Sequence, residues 1–186
     1  MISIVAAVGK NRELGYQNRI PWHIKEDLQH FKALTSGKMV IIGRKTLESL
    51  FEYYRQSGRS FPPRQYLIIS RNNSYKPNLE GLKETEKSVF KVFSGVKEAI
   101  DFADSPLLTP NSYLLSPNNE VFLIGGASIY NEGIQYTDKL YLTLVEGNFK
   151  ADTFFPEYGN NFKIIDESPL KHEGAFAFRF LTLERK

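Results

Sequence analysis

The chain has 186 residues, 41% hydrophobic and 24% charged, with fourteen Phe and ten Tyr, which supplies the aromatic anchors of a packed core and argues against disorder. It has no cysteine, which excludes a disulfide scaffold, thiolate zinc sites and a cysteine nucleophile. The net charge of +3 is scattered along the chain, too mild to indicate nucleic acid, and no apolar run approaches the ~18 residues of a membrane span.

The apolar run at 2–8 lacks a basic flank and a cleavage site, so it reads as a core strand and not a signal peptide. Chain order then gives a helix at 25–34, a strand at 39–42 and a helix at 46–54. A loop rich in Arg, Ser, Gly and Pro follows at 55–64. Beyond it come strands at 66–69 and 89–93, with a solvated charged loop at 83–87 between them, and a helix at 96–102. A Pro- and Asn-bearing loop is expected at 104–119, then a strand at 121–124, a helix at 128–135 and a strand at 140–145. Strands alternating with helices imply a largely parallel sheet. The segments 161–168 and 175–183 have no helix between them, and Phe176, Phe178 and Phe180 alternate with Ala177, Arg179 and Leu181. That pattern predicts an antiparallel hairpin closing one edge. The expectation is one α/β domain over residues 1–186, cytoplasmic, with no membrane and no nucleic-acid partner.

Three places carry potential chemistry. On a helical wheel Ile24, Leu28, Phe31 and Leu34 share an apolar arc, and Asp27 falls inside it. A carboxylate there is costly unless paired, so Asp27 is either an edge residue at the helix start or a functional group. Two strand–turn–helix junctions, Gly43-Arg44-Lys45-Thr46 and Gly125-Gly126-Ala127-Ser128, combine close backbone approach with free helix amides. Neither is a GxGxxG or a GxxxxGK[ST] fingerprint. Each alone is a common turn; both at carboxyl ends of strands suit one extended phosphate-bearing ligand. Arg64, entering the strand at 66–69, is either a solvated edge residue or a carboxylate clamp. His23, His30 and His172 fall in no metal-ligand spacing, and no metal is expected.

Taken together, the sequences Ile2-Ser3-Ile4-Val5-Ala6-Ala7, Pro21-Trp22, Asp27-Leu28, Phe31-Lys32, Val40-Ile41-Ile42-Gly43-Arg44-Lys45-Thr46, Pro63-Arg64, Ile124-Gly125-Gly126, Ile129-Tyr130, Leu140-Tyr141-Leu142-Thr143 and Asp152-Thr153-Phe154-Phe155-Pro156 resemble those of bacterial-type dihydrofolate reductases. The likeness spans the whole chain in family order. It implies an eight-stranded sheet with helices on both faces and NADPH-dependent reduction of 7,8-dihydrofolate to tetrahydrofolate for one-carbon metabolism, by a monomer that binds antifolates.

The resemblance also implies roles. Asp27 would be the ionisable group of the pterin pocket, braced by Thr143, with Trp22 beside it. Val5, Ala6, Leu28, Phe31, Leu50, Ile124 and Tyr130 would line the substrate site, and Arg64 would hold the glutamate carboxylate. Ala7, Leu14, Gly15 and Ile20 would meet the cofactor from the lid side. Gly43–Thr46 and Ile124–Tyr130 (Ile124, Gly125, Gly126, Ala127, Ser128, Ile129, Tyr130) would cradle its phosphates. Arg44, with Lys45, Ser70 and Arg71 near it, would select the 2′-phosphate, and Gly125-Gly126 would be joined by a cis peptide. The segment 9–22 would act as a lid. Phe61, in Phe61-Pro62-Pro63 ahead of Arg64, departs from the Leu-Pro-Gly of many relatives and is expected to narrow the substrate pocket. Two other readings share parts of the pattern. A pyrimidine reductase of riboflavin synthesis would want further phosphate-binding cations in place of Asp27 and Arg64, and a non-catalytic nucleotide-binding module would not need Trp22, Asp27 and Thr143.

Overall fold

Even-numbered residues of the first strand, Ile2, Ile4, Ala6 and Val8, are buried with one apolar cluster, whereas Val5 belongs to a second. A strand covered on both faces must be apolar at every position, and the structure supplies the covers. In a computed structural model, which describes residues 1–105 and 120–186, the chain runs β1 (Ile2–Gly9), β2 (Glu13–Gly15), α1 (Lys25–Thr35), β3 (Met39–Gly43), α2 (Arg44–Ser57), β4 (Gln65–Ile69), β5 (Val89–Phe93), α3 (Val96–Ala103), β6 (Val121–Leu123), α4 (Ala127–Gly133), β7 (Lys139–Val145), β8 (Thr153–Phe154), β9 (Phe162–Glu167), β10 (Lys171–Glu173) and β11 (Phe176–Arg185).

The nine-stranded main sheet has the order β10-β11-β7-β1-β6-β3-β4-β5, and β9 also pairs with β11. Neighbours from β7 to β5 are parallel, and β11 joins β7 antiparallel. One core lies under α3 and α4, with Val96, Ala99, Ile100 and Ile129 meeting Ile4, Ile41 and Leu123. The other lies under α1 and α2, where Phe31, Leu34, Leu47 and Phe51 meet Val5, Val40, Ile42 and Ile68. The chain steps outward from β1 to β3, β4 and β5, then returns to insert β6 between β1 and β3. That reversal opens a crevice at the carboxyl ends of the strands, where ligands of open α/β sheets bind.

Two expectations are corrected. The loop predicted at 55–64 begins later, because α2 continues to Ser57 and ends at Gly58, whose left-handed φ of 64° lets its N–H reach the Tyr54 carbonyl. Arg55 is therefore a helical residue, and its guanidinium donates to the Glu80 and Asn78 carbonyls at 2.9 and 2.7 Å. The expected C-terminal antiparallel pairing is present, β9 with β11, and the short strand β10 joins it. β11 lies one row in, and its outer side is shared by β10 along 176–178 and β9 along 181–185. The sheet therefore has nine strands, in eight rows, where eight strands were expected. The 104–119 loop lies almost wholly outside the described residues.

Candidate active site

Asp27 sits in the first turn of α1, a helix with no side-chain cap at Ile24. Its free amides are taken from afar: Glu173 accepts from the backbone N–H of Lys25 at 2.8 Å and of Glu26 at 3.0 Å. Lys171 adds an ion pair to Glu26 at 2.6 Å. This end of α1 is thereby fastened to the β10–β11 corner. The fastening turns Asp27 inward, where the Thr143 hydroxyl donates to Asp27 Oδ1 at 2.6 Å. Thr143 is 2% exposed and pairs across the sheet with Ala7, which places it on the α1 side of β7. Burial pushes the Asp27 carboxyl above the ordinary range, and the Thr143 hydrogen bond opposes it in part. No cation pairs with Asp27 among the described residues. A carboxylate held in that way favours a partner that carries N–H donors or positive charge.

Trp22 is buried and stacks edge-on against Phe149, with ring centroids 4.8 Å apart. Its indole N–H has no acceptor among the described residues. Val5 and Ile124 are buried on the same face of the sheet, and Phe31 and Leu50 pack beside them. Leu28, by contrast, is 39% exposed although it lies next to Asp27 in the chain. Ala6 turns to the other core. Tyr130, also buried there, sends its hydroxyl through to donate to the Val5 carbonyl at 3.0 Å. Burial raises the Tyr130 phenol well above its usual value, and the Asp27 charge adds to the rise.

Arg64 is 1% exposed. Its Nε donates to Thr35 Oγ1 at 3.1 Å and its Nη2 to the same oxygen at 2.8 Å, while Nη1 donates to the Tyr66 hydroxyl at 3.0 Å. The Phe31 ring covers the guanidinium at 5.0 Å. No Asp or Glu forms a salt bridge with Arg64 among the described residues. A buried cation without a counter-charge is expensive, so the site is suited to an incoming anion. Thr35 and Tyr66 gave no functional signal in the sequence, because a Thr ending a helix and a Tyr inside a strand both read as structure.

Phe61 is 1% exposed and packs against the rings of Phe51, Tyr54, Tyr66 and Phe90, so it belongs to the α2 core. The aromatic neighbours come from three separate segments, which is why its role was hidden in the sequence.

The two strand–turn–helix junctions meet. Gly43 N–H donates to the Gly125 carbonyl at 2.7 Å, and Gly125-Gly126 is a cis peptide, as expected. A side chain at Gly126 would bring its Cβ to 2.9 Å from Thr46 Oγ1, so the Thr46 side chain would have to give way where the junctions touch. The first turn of α2 has no side-chain cap, leaving its amides open to an anion. Arg44 extends from that turn, paired with Glu48 at 3.0 Å and lying 5.8 Å from the Tyr75 ring centre. Because Gly43 and Ile69 are partners in the parallel register, Ser70 and Arg71 emerge beside Arg44. The Ser70 hydroxyl is already engaged, donating to the Asn72 carbonyl and accepting from the Asn72 N–H, both at 3.1 Å. Arg71, Lys45 and Ser128 are exposed. Ile129 is buried in the core below Gly43. Glu132 accepts from the Val96 N–H at 2.8 Å and so caps α3.

The segment 9–22 is fastened to the segment 152–154. β2 pairs with β8, Gln17 N–H donates to Asp152 Oδ2 at 2.8 Å and Asp152 N–H to the Gly15 carbonyl at 3.0 Å. Leu14 packs on the core, whereas Ile20 is 63% exposed. Within this segment Glu13 is buried. Burial raises its carboxyl, but hydrogen bonds from Asn11, from its own amide and from the Phe149 amide outweigh that and hold it below the ordinary range.

Comparison with known proteins agrees with this geometry. Residues 1–185 match the family model described as dihydrofolate reductase. The chain is 33% identical over 189 aligned positions to dihydrofolate reductase type 3 of Salmonella typhimurium, covering all of this chain and 99% of that one. It is 31% identical to the dihydrofolate reductase of Bacillus subtilis strain 168, covering all of this chain and 95% of the relative. Among solved structures, a dihydrofolate reductase from Enterococcus faecalis, complexed with NADP(H) and RAB-propyl, has the same fold. It superposes with a TM-score of 0.72 at 23% identity, over all of this chain and 96% of that one. No helix among the described residues is long and apolar enough to cross a membrane. The chain belongs to the dihydrofolate reductase family, enzymes that reduce dihydrofolate with NADPH.

Proposed function

We propose that the cleft between α1 and the glycine junctions reduces 7,8-dihydrofolate at pterin C6, with a proton added at N5. The observation that carries this reading is the half-buried Asp27 bonded to the buried Thr143, facing the side of the sheet that also holds Arg64 and Val5. Asp27 accepts hydrogen bonds from the pterin 2-amino group and ring N3, which fixes the ring's orientation and provides a field favourable to a cationic pterin. Thr143 holds the carboxylate in place. Asp27 does not deliver its own proton to N5, which lies across the ring; a water admitted beside the reacting centre does so. The unpartnered N–H of Trp22 suits an ordered water at this end of the cleft.

NADPH fits the residues present. The uncapped α2 amides, the Gly43–Gly126 contact and Arg44 hold its phosphates, and Arg44 selects the 2′-phosphate. Bound there, it supplies the hydride. The lid, tied down through Gln17 and Asp152, excludes bulk water. Arg64 receives the glutamate carboxylate of the substrate, for which Phe31 must swing off the guanidinium. This is a monomeric, single-domain, cytoplasmic enzyme that supplies tetrahydrofolate to one-carbon metabolism.

The test is NADPH absorbance loss in the purified protein given dihydrofolate, with NADH and a diaminopyrimidine inhibitor as controls. Inhibitable turnover, far faster with NADPH, is expected. NADPH binding without dihydrofolate turnover would move the substrate assignment to another heterocycle.

A further inference from the structure

Arg64 precedes β4 and Tyr66 is its second residue, so the alternation of a strand puts both side chains on the same face. A guanidinium has five N–H donors. Thr35 Oγ1 takes one from Nε and one from Nη2, and the Tyr66 hydroxyl takes one from Nη1. One N–H remains on each terminal nitrogen. Both hydroxyls are committed as acceptors toward Arg64, because their own protons go elsewhere: Thr35 donates to the Phe31 carbonyl at 2.7 Å and Tyr66 to the Pro62 carbonyl at 3.1 Å.

We propose that Tyr66 is a positioning residue for substrate selection: with Thr35 it orients Arg64 so that the two remaining N–H groups form an end-on fork for one carboxylate. The proposal rests on the reading of Arg64 as the carboxylate receiver and adds how that receiver is aimed. The Tyr66 ring is fixed for the task, stacked on Phe90 at 5.2 Å with an interplanar angle of 10° and packed on Phe61 at 5.2 Å. Burial pushes its phenol up to about 12, against the opposing charge of Arg64, so the hydroxyl keeps its proton through neutral pH. A fork of two parallel N–H groups matches the planar, two-oxygen geometry of a carboxylate. Without Tyr66 the Nη1 end is free to rotate toward other acceptors, and the pairing loses definition.

Tyr66→Phe removes only the hydroxyl. Its affinity should be measured for NADPH, for a pteridine antifolate ending in glutamate, and for a diaminopyrimidine antifolate with no carboxylate. The glutamate-bearing ligand should bind about tenfold more weakly, with the other two within about twofold of wild type. Unchanged binding of the glutamate-bearing ligand, or an equal loss for both antifolates, would overturn the proposal. In an Arg64→Leu background Tyr66→Phe should add nothing to the loss, and an additive effect would also overturn it. If Arg64→Leu alone leaves the glutamate-bearing ligand unaffected, it is the reading of Arg64 that fails. Thr35 provides a second route should Tyr66→Phe not fold. Thr35→Val should reproduce the selective loss and Thr35→Ser should restore binding; identical behaviour of the two would count against the fork.

Discussion

On the α1 side of the cleft the polar groups are held by other side chains: Asp27 by Thr143, and Arg64 by Thr35 and Tyr66. On the α2–α4 side the work falls to backbone. There the junctions meet through Gly43 and Gly125, the α2 amides are open, and the Arg44 cation is shared with Glu48. The difference follows from burial. A charge inside the fold must have fixed partners, or its desolvation goes uncompensated, whereas phosphates at a surface cleft can be met by amides whose geometry is set by the strand ends. Single substitutions should therefore be severe on the first side and milder on the second.

The largest effect is expected at Asp27. Asp27→Asn should lower turnover by about 100- to 1000-fold at neutral pH, with partial recovery at acid pH, where the substrate arrives protonated; stopped-flow absorbance across pH would show it. The same variant should melt higher than wild type at neutral pH. The folded state holds the Asp27 proton more tightly than the unfolded chain, so ionisation above the unfolded value costs stability that Asn does not incur. That advantage should vanish as the pH falls below the ordinary carboxylate range. Wild-type turnover throughout would remove Asp27 from the mechanism. Next is Arg64→Leu, which on the proposed reading of Arg64 should lose a buried carboxylate contact of about 2–4 kcal/mol. It should weaken glutamate-bearing ligands by about 30- to 1000-fold while sparing NADPH; equal losses would place Arg64 elsewhere.

Arg44 tests the backbone side. The phosphate contacts made by amides survive its removal, and the side chain is partly exposed, so the effect is confined to the 2′-phosphate. Arg44→Leu should reduce the preference for NADPH over NADH by about tenfold, read from kcat/KM for each cofactor. An unchanged ratio would hand that selection to Arg71.

These two sides were not equally visible in the sequence. The strands could be read because a sheet buried on both faces demands continuous apolar runs, and the glycine junctions because strand-Gly-helix is a local pattern. Asp27 stood out as a carboxylate inside an apolar helical arc. Its partner Thr143 lies 116 positions away, and only the family resemblance named it. Glu173, which caps α1, is 148 positions from the Lys25 amide it accepts from, and no local propensity could point to it. Arg55 reads as a loop residue because 55–64 is rich in Arg, Ser, Gly and Pro; the helix instead runs on to its Gly58 cap, helped by the grip of Arg55 on the segment at 78–80. Phe61 was assigned from its neighbours in the chain, but its burial comes from Phe51, Tyr66 and Phe90, which the fold brings together.

The smallest effect belongs to the segment 9–22, the lid of the proposed function, whose tie runs through Gln17 and Asp152. Asp152 accepts from the Gln17 N–H with one carboxylate oxygen and from the Thr153 hydroxyl with the other. The Gln17 contact holds the Asp152 carboxyl below its ordinary value, with Thr153 adding to the effect. The ionised form is thus the one that keeps the lid tied, and the tie loosens only as the pH falls through that lowered value. Asp152→Ala removes both contacts at once but leaves the Asp152 N–H to Gly15 carbonyl bond in place, so the lid should be less often closed and not lost. Turnover should fall by about two- to fivefold, with NADPH affinity changed by a similar factor and the affinity of a diaminopyrimidine, which contacts the Asp27 side, nearly unchanged. In steady-state rates across pH, wild type at the acid limit should approach the variant, because protonating Asp152 and deleting it remove the same acceptor. If the variant instead weakens the diaminopyrimidine as much as NADPH, the lid would belong to both sides of the cleft equally, and the contrast between them would stop at the sheet.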